Sequence, residues 1–349
     1  MKLTSEIINQ SNTWQIGTGD DTRMYHDIFL RLGVAFLGPG DPGKEGEQAT
    51  EEHYKENGGN NWGAVLKQVK KGQWLIARKG KGYIVALGEV TEEYNYTNLF
   101  SDVEGWDLQH FVKVKWYKPK TTNNWLEMDS YCLSQSTLQG CNVQDVYNII
   151  YQTEFEEYPA QVSIETVTEK KLEIKNLIDS LVEHGIRVQD ADNVGITIER
   201  IIRLARYYTS YHYNVSEAEI IAFLIAPTLI AFGWSEQKIK FQISNIDIAL
   251  FKNAYEQDDE QTPLVIIEAK KFNNGLAFTD GQIKTYSTYY PNCKKFIATN
   301  GFRYKYFEKE NDELVCKGYF NLLNLKERDV LRGLPKTSIE TMLSISNFI

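Results

Sequence analysis

Two apolar segments with charged residues at their ends constrain this chain more than any other feature of its sequence. They are residues 245–251 (NIDIALF) and residues 263–272 (PLVIIEAKKF). The second contains the continuous apolar run Leu-Val-Ile-Ile at residues 264–267. A run of this length is typical of a strand, and its lack of polar residues predicts a β-strand buried on both faces. Because successive side chains of a strand point to opposite faces, Glu268 and Lys270 should share one side while Ala269 points away.

Asp247, at the start of the first segment, is the natural partner of Glu268 and Lys270. Two carboxylates from neighbouring strands can share a magnesium ion, which prefers oxygen ligands and keeps several of its waters. Such an ion acidifies a bound water and polarises a phosphate, while a lysine beside it holds or deprotonates that water. The alternative is that Glu268 and Lys270 form an ion pair at a strand end, since so short a pattern also arises by chance.

This arrangement resembles the PD-(D/E)XK nuclease superfamily, with residues 245–247 in place of the Pro-Asp and residues 268–270 as the E-X-K. Residues 216–234 (SEAEIIAFLIAPTLIAFGW) resemble the helix that precedes the core in the restriction subunits of type I systems. Residues 282–286 match the Q-x-x-x-Y motif that follows the core in the same nucleases. The resemblance covers residues 215–307 and implies a nuclease that uses Mg²⁺, or Mn²⁺ in its place.

The resemblance also implies that a glutamate of the preceding helix joins Asp247 and Glu268 as a metal ligand. Glu217 and Glu219 are two positions apart and so lie on different helix faces, which means that only one should face the centre. We favour Glu217, because Ser216 has the character of an N-cap and the motif glutamate usually opens this helix. For either residue, the alternative is a carboxylate that stabilises a helix N-terminus.

Gln282 and Tyr286 of the Q-x-x-x-Y motif are four residues apart, which puts both side chains on one face of a helix. There the amide of Gln282 can bond to the backbone or to DNA beside the site. We therefore predict a catalytic role for Gln282 and a substrate contact for Tyr286.

The N-terminal part combines short alternating strands with glycines and aromatic residues. Residues 73–90 predict a hairpin that turns at residues 80–82, and residues 111–116 predict a further strand. The acidic, glycine-rich residues 38–61 predict a loop. No acidic residue occurs between positions 57 and 88, a stretch that contains Lys67, Lys70, Lys71, Arg78, Lys79 and Lys81. A basic face is therefore expected here, although the whole chain has a net charge of −9.

These features resemble the PUA-like group of small β-barrels, which includes domains that read modified bases. Such domains flip a base out of the duplex and stack it in an aromatic pocket. The alternatives are core packing for each aromatic residue and a solvated face for the lysines. The residues predicted to contact the substrate in this part of the chain are Trp14, Tyr25, Trp62, His110, Lys79 and Lys81.

The composition, with 42% hydrophobic and 24% charged residues, is that of a globular protein. We predict an α+β multidomain fold: a mainly β, PUA-like recognition domain at residues 1–158, a helical connector at 159–212 and an α/β PD-(D/E)XK nuclease core at 213–349. Within the core we expect helices at 217–232 and 281–289 and strands at 238–243, 247–251, 264–269 and 295–299. The chain start lacks an apolar core with a cleavage site, and no apolar run reaches the length of a membrane span, which predicts a cytoplasmic protein without membrane contact.

Together these features predict a restriction-type DNA endonuclease of antiviral defence that hydrolyses phosphodiester bonds in double-stranded DNA and depends on a modified base. A homodimer is expected because both strands must be cut. One alternative is a type II-like endonuclease that reads an unmodified sequence, or a defence nuclease that answers another trigger. Another is a non-catalytic nucleic-acid binding protein on a nuclease scaffold, which the joint presence of Asp247, Glu268 and Lys270 disfavours.

Overall fold

The computed structural model describes residues 1–19, 25–38, 62–128, 132–134, 136–211, 214–257, 262–272 and 275–348, and it leaves out the side chains of residues 62, 277 and 278. The predicted loop at 38–61 therefore lies outside the described residues, apart from Gly38. The chain forms two compact units, Met1–Val167 and Thr168–Ile349. Within these ranges the strands form two sheets, one of eight strands and one of six. The predicted α+β class is confirmed.

The first unit is built on the eight-stranded sheet, whose order is β2-β5-β4-β3-β1-β7, with β6 on β4 and β8 on β5. Its strands are β1 (Thr13–Gly17), β2 (Val34–Leu37), β3 (Trp74–Lys79), β4 (Tyr83–Tyr96), β5 (His110–Pro119), β6 (Leu126–Glu127), β7 (Leu138–Gly140) and β8 (Phe155–Tyr158). Its helices include α1 (His26–Leu32), α2 (Trp62–Leu66) and α3 (Gln144–Gln152).

The predicted hairpin is the pair β3 and β4, which are antiparallel and close with Lys79 opposite Tyr83. Gly80 in the connection has φ +56°, a conformation that glycine adopts without strain. The predicted strand at 111–116 is also present, as the middle of the longer β5. The parallel pairing of β1 with β3 was not predicted. It joins residues far apart in the chain, a pairing that local pattern does not encode.

The second unit begins with α4 (Ile174–Glu183) and α5 (Val188–Ser210). Gly195 lets these helices approach closely, since a Cβ atom there would lie 2.4 Å from Cδ1 of Ile178. Buried residues of α5, including Val194 and Ile201, belong to the main apolar core of this unit. The segment for which a connector is predicted thus contributes to the core of the second unit.

The six-stranded sheet of the second unit has the order β14-β13-β12-β11-β10-β9. Its strands are β9 (Ile239–Ile243), β10 (Ile246–Leu250), β11 (Val265–Ala269), β12 (Lys295–Thr299), β13 (Arg303–Glu310) and β14 (Glu313–Asn321). The accompanying helices include α6 (Glu217–Ile220), α7 (Ala226–Ala231), α8 (Asp280–Tyr289) and α9 (Ser338–Ile345). Strands β11 and β12 are parallel, with α8 between them in sequence, and the other neighbours are antiparallel.

Strand β11 is buried along its whole length, as its apolar sequence predicts. Ile267 belongs to the main core on one face of the sheet, and Ile266 belongs to a second cluster on the other face together with Ile283 and Tyr286 of α8. The alternation of side chains puts Glu268 on the same face as Ile266. The sheet therefore directs Glu268 toward α8.

The predicted helix at 217–232 is present but interrupted. Residues Ile221–Ile225 form a π-helical turn, in which the N–H of Ala226 donates to the carbonyl of Ile221. Pro227, two residues after this turn, has no N–H to donate and disturbs regular helical bonding. The helix ends before Gly233, whose φ is +86°. None of the helices within the described ranges combines the length and apolarity needed to cross a membrane.

Candidate active site

Strands β10 and β11 bring Asp247 and Glu268 together. Their antiparallel register pairs Ile248 with Ile267 and Ala249 with Ile266, so the next position toward the site sets Asp247 opposite Glu268. Residues opposite each other in an antiparallel pair share a face of the sheet. Asp247 also reaches along β11, where its Oδ2 accepts a 2.8 Å hydrogen bond from the N–H of Ala269.

A tight turn between β9 and β10 sets the position at which Asp247 enters the sheet. Ile243 pairs with Ile246, leaving Ser244 and Asn245 as the two turn residues. Their φ angles are +48° and +68°, the positive values that a type I′ hairpin requires at both positions. The register also sets Gln242 of β9 opposite Asp247 of β10, and Gln242 has a positive φ of +52°. Strained backbone of this kind is often retained where a functional side chain must be held in place.

Glu268 is a buried carboxylate with two polar partners. It is 2% exposed, and its Oε2 accepts a 2.7 Å hydrogen bond from the hydroxyl of Tyr286. Its Oε1 accepts a hydrogen bond from Nζ of Lys270, with which it forms an ion pair. Burial raises the pKa of Glu268, and the bonds from Lys270 and Tyr286 oppose that rise without cancelling it, while the charge of Asp247 adds to it.

Gln282 and Tyr286 of α8 complete a network around the amine of Lys270. Nζ of Lys270 donates to Oε1 of Gln282 at 2.8 Å, and Nε2 of Gln282 donates to the hydroxyl of Tyr286 at 3.2 Å. The predicted common face of these two side chains is therefore present. The hydroxyl of Tyr286 is also 2.7 Å from the carbonyl of Asn245, so its single proton is shared between that oxygen and Glu268. Burial raises the pKa of Tyr286, which keeps it a neutral donor.

The two glutamates of the preceding helix have different surroundings. Glu219 forms a capping box with Ser216: the N–H of Ser216 donates to Oε2 of Glu219 at 2.9 Å, and the N–H of Glu219 donates to Oγ of Ser216 at 3.2 Å. Burial raises the pKa of the half-buried Glu217, and the charge of Asp247 adds to the rise while Lys270 and Lys271 oppose it. Glu217 therefore interacts electrostatically with Asp247, whereas Glu219 is held by Ser216.

The predicted metal ligands Asp247, Glu268 and Glu217 interact electrostatically, but they do not form a closed coordination sphere. Among the residues that the structure describes, no group of three or more His, Cys, Asp or Glu side chains is placed to hold a metal ion. Magnesium does not require such a group, because it commonly binds one or two carboxylates and keeps several waters. Asp247 and Glu268, side by side on one face, fit that kind of site.

An ion pair between a buried lysine and a partly exposed aspartate at the start of α8 was not predicted. Lys305 of β13 is 0% exposed, and its Nζ lies 2.7 Å from Oδ1 of Asp280. The strand register runs from Glu268 to Ala298 and on to Lys305, so Lys305 lies in the same row across the sheet as the candidate site. Lys305 stands among charged and aromatic residues in the sequence of β13, a pattern that predicts a solvent-facing lysine. Its burial was therefore not predicted.

The first unit contains a cavity of about 390 Å³ within its own fold. Its lining includes Gly17, Gly19, Tyr25, Phe29, Phe36, Leu37, Gly38, Arg78, Gly80, Lys81, Trp106, Leu108 and Thr137. Of the residues predicted as substrate contacts in this unit, Tyr25 and Lys81 therefore line a cavity.

The other predicted contacts of the first unit lie elsewhere. Nε1 of Trp14 donates to Oε1 of Gln73 at 2.8 Å, and His110 is buried with its Nδ1 3.0 Å from the hydroxyl of Tyr94. The Nζ of Lys79 lies over the rings of Tyr83 and Trp125. The side chain of Trp62 lies outside the described residues. Arg78, Phe36 and Trp106, which line the cavity, were not selected from the sequence, because their proximity depends on strand pairing.

Residues 40–142 are similar to a family described as a domain of unknown function (DUF8426). The matching region lies within the first unit and includes β3, β4 and β5. No match was found among curated proteins or among solved structures.

Proposed function

We propose that this protein is a magnesium-dependent DNA endonuclease of the PD-(D/E)XK kind. The observation that carries the proposal is the meeting of Asp247, Glu268 and Lys270 at the ends of adjacent strands. Gln282 and Tyr286 from α8 hold two of these groups by hydrogen bonds. A surface ion pair would not need a buried glutamate, an amide partner for the lysine and a tyrosine on the carboxylate. The alternative of a strand-end ion pair is therefore disfavoured.

Asp247 and Glu268, with Glu217 as a further carboxylate, are the residues that would hold the divalent ion. That ion, when bound, supplies the charge that acidifies a water and polarises the scissile phosphate. Lys270 offers an ammonium group to the phosphate or to the attacking water, and Gln282 holds that group in position. Tyr286 orients Glu268 through its hydroxyl. Each side chain thus has a task that its contacts support.

The first unit is proposed to supply recognition of double-stranded DNA as a PUA-like domain. Its acid-free stretch between positions 57 and 88 and its aromatic cavity support contact with a nucleic acid, and dependence on a modified base is the form of recognition we favour. The wider proposal is a restriction enzyme of antiviral defence that acts in the cytoplasm as a homodimer. The alternatives are recognition of an unmodified sequence or of another trigger, and a nucleic-acid binding protein that does not cut.

The test is cleavage of duplex DNA by the full-length protein with Mg²⁺, with Mn²⁺ and with a chelator. Four matched duplexes should carry cytosine, methylcytosine, hydroxymethylcytosine or glucosylated hydroxymethylcytosine. We expect metal-dependent cutting that differs among the four. Asp247→Asn should reduce cutting by at least about a hundredfold, because a carboxamide is a poor ligand for a hard cation.

Asp312→Asn is the matched control, since Asp312 is an exposed acid whose side chain is 92% accessible. It should cut as the wild type does. Full activity of Asp247→Asn would refute the proposed centre. Equal cutting of all four duplexes would refute the dependence on modification while leaving the nuclease intact.

A further inference from the structure

Lys305 of β13 is a fully buried cation that holds the first residue of α8. Its Nζ lies 2.7 Å from Oδ1 of Asp280, whose side chain is 31% accessible. Burying a lysine is costly, and apolar residues of similar volume often stabilise a core as well as a buried ion pair does. What such a pair adds over apolar packing is a fixed distance between two particular groups.

A second lysine of β13 holds the other end of α8. Lys309 faces the same side of the strand as Lys305 and Phe307, and Phe307 packs in the same apolar cluster as Tyr286 of α8. The Nζ of Lys309 donates to the carbonyl of Ser287 at 3.2 Å, and its side chain is only 8% exposed. A cation is favourable here, because the carbonyl end of a helix carries partial negative charge.

These two contacts restrict the movement of α8 along its own axis. Four residues of strand span about 13 Å and seven residues of helix about 10.5 Å, so lysines four positions apart can reach both ends of α8. The buried residues of α8 are few, namely Ile283, Tyr286 and Ser287. Because apolar attraction is non-directional, it restricts sliding less than a directional polar contact does.

The candidate site tolerates little sliding of α8. Gln282 and Tyr286 lie between the two held residues of the helix. Oε1 of Gln282 accepts from Nζ of Lys270 at 2.8 Å. The hydroxyl of Tyr286 lies 2.7 Å from Oε2 of Glu268. A slide of one residue moves a helix by about 1.5 Å, which is enough to break both bonds.

From these contacts we propose that Lys305 and Lys309 are positioning residues of the candidate active site. They fix α8 at the setting where Gln282 and Tyr286 reach the lysine and the carboxylate at the end of β11. The effect on cleavage rests on the proposed function, whereas the setting of α8 can be measured without any substrate. Both lysines act through the helix, and neither is assigned a direct part in the chemistry.

The main variant is Lys305→Met, which removes the charge and keeps an unbranched side chain of similar length. Lys295→Met is the matched control. Lys295 belongs to β12 of the same sheet, and its Nζ donates to the carbonyl of Ser344 in α9 at 3.1 Å. It shares the face of Ile297, which belongs to the main core on the side away from α8. Each variant thus loses one contact between a sheet lysine and a helix.

Hydrogen exchange followed by mass spectrometry measures how firmly α8 is held in the full-length protein. We expect the amides of residues 280–289 to exchange about tenfold faster in Lys305→Met than in the wild type. The same amides should keep their wild-type rates in Lys295→Met. Unchanged exchange of α8 in folded Lys305→Met would overturn the inference.

Coupling to Tyr286 separates positioning from a general loss of stability. Tyr286→Phe removes a donor to a buried carboxylate and should lower the Tm of the wild type by about 5 °C. In Lys305→Met, where α8 has left its setting, the same change should lower the Tm by less than about 2 °C. In Lys295→Met the full effect should remain. Equal effects of Tyr286→Phe in the wild type and in Lys305→Met would overturn the inference.

Cleavage kinetics with Mg²⁺ test the consequence for the reaction. The kcat of Lys305→Met should fall by about tenfold, with the KM for duplex DNA within about twofold of the wild-type value. Lys295→Met should cut as the wild type does. An unchanged kcat of Lys305→Met would overturn the inference.

Failure of the proposed function has a different signature. If the wild type does not cut, the nuclease is refuted, and the exchange and coupling measurements still decide whether the two lysines set the position of α8. If Lys305→Met does not fold, Lys309→Met takes its place in all three measurements, with the same expected and contrary outcomes.

Discussion

Glu268 meets two opposing demands. Its ionised form is the one that binds a divalent cation, yet its burial favours the protonated form and raises its pKa. A carboxyl whose pKa is higher in the folded state than in the unfolded state stabilises the fold at low pH. That contribution is lost as the pH rises through the folded-state pKa. Ionisation of Glu268 in the folded protein therefore costs stability.

We predict that Glu268→Gln is more stable than the wild type at pH 7 and inactive. The free energy of unfolding should rise by roughly 1 kcal/mol, because an amide of nearly the same shape carries no buried charge. The difference between the two proteins should shrink as the pH is lowered through the raised pKa of Glu268. Thermal or urea unfolding across pH 4–8 measures it.

Glu313→Gln is the control for this comparison, since Glu313 is exposed at the start of β14. It should change stability little at any pH. A Glu268→Gln variant that is less stable than the wild type at pH 7 would mean that the bonds from Lys270 and Tyr286 outweigh the cost of burial.

At the scale of elements, the two glutamates in the first turn of α6 have different contacts. The side chain of Glu219 accepts a hydrogen bond from the N–H of Ser216, and the two residues form a capping box. The box satisfies backbone N–H groups that have no partner within the helix. Glu217 lies on the neighbouring face and interacts with Asp247 and Lys270. One turn of helix thus supplies a cap and, in the proposed metal site, a further carboxylate.

We predict that Glu217→Gln and Glu219→Gln have opposite profiles. Glu219→Gln should keep its Mg²⁺ dependence, because a glutamine can still accept bonds in a capping box, and should lose at most about 1 kcal/mol of stability. Glu217→Gln should raise the Mg²⁺ concentration needed for half-maximal cleavage by about tenfold with little loss of stability. A metal titration of cleavage and a thermal melt distinguish them. The same metal dependence for both variants would remove Glu217 from the ligand set.

At the scale of the whole molecule, each unit has its own sheet and its own buried core. The candidate catalytic residues are all in the second unit, and the cavity with Arg78 is wholly in the first. The proposed chemistry and the proposed recognition therefore lie in different units.

We predict that Thr168–Ile349, produced alone, unfolds cooperatively and cuts duplex DNA with Mg²⁺. It should no longer discriminate among the four cytosine forms, because the proposed recognition surface is missing. A calorimetric melt and the four-duplex cleavage assay measure this, with Asp247→Asn in the same fragment as control. Discrimination equal to that of the full chain would show that the second unit reads the base itself.

The sequence by itself determined the elements that carry the candidate site. The strand predicted at 295–299 has those bounds in the structure. The strand predicted at 247–251 lies one residue earlier, at Ile246–Leu250, and the strand predicted at 264–269 begins one residue later, at Val265. Strand alternation and helical spacing act over a few residues, so they also placed Glu268 with Lys270 and Gln282 with Tyr286. Strands β13 and β14 escaped prediction for different reasons. In β13 (RYKYFEKE) charged and aromatic residues are mixed without an apolar run, and in β14 (ELVCKGYFN) Lys317 and Gly318 interrupt the apolar residues.

Only the tertiary structure decided which distant residues meet. The parallel pairing of β1 with β3 and the walls of the cavity bring together residues from Gly17 to Thr137. The burial of Lys305 beside Asp280 depends on the packing of α8 over the sheet. These contacts join residues far apart in the chain. They form only because the apolar surface buried over the whole unit outweighs the chain entropy lost on closing such long loops. No local pattern records that balance.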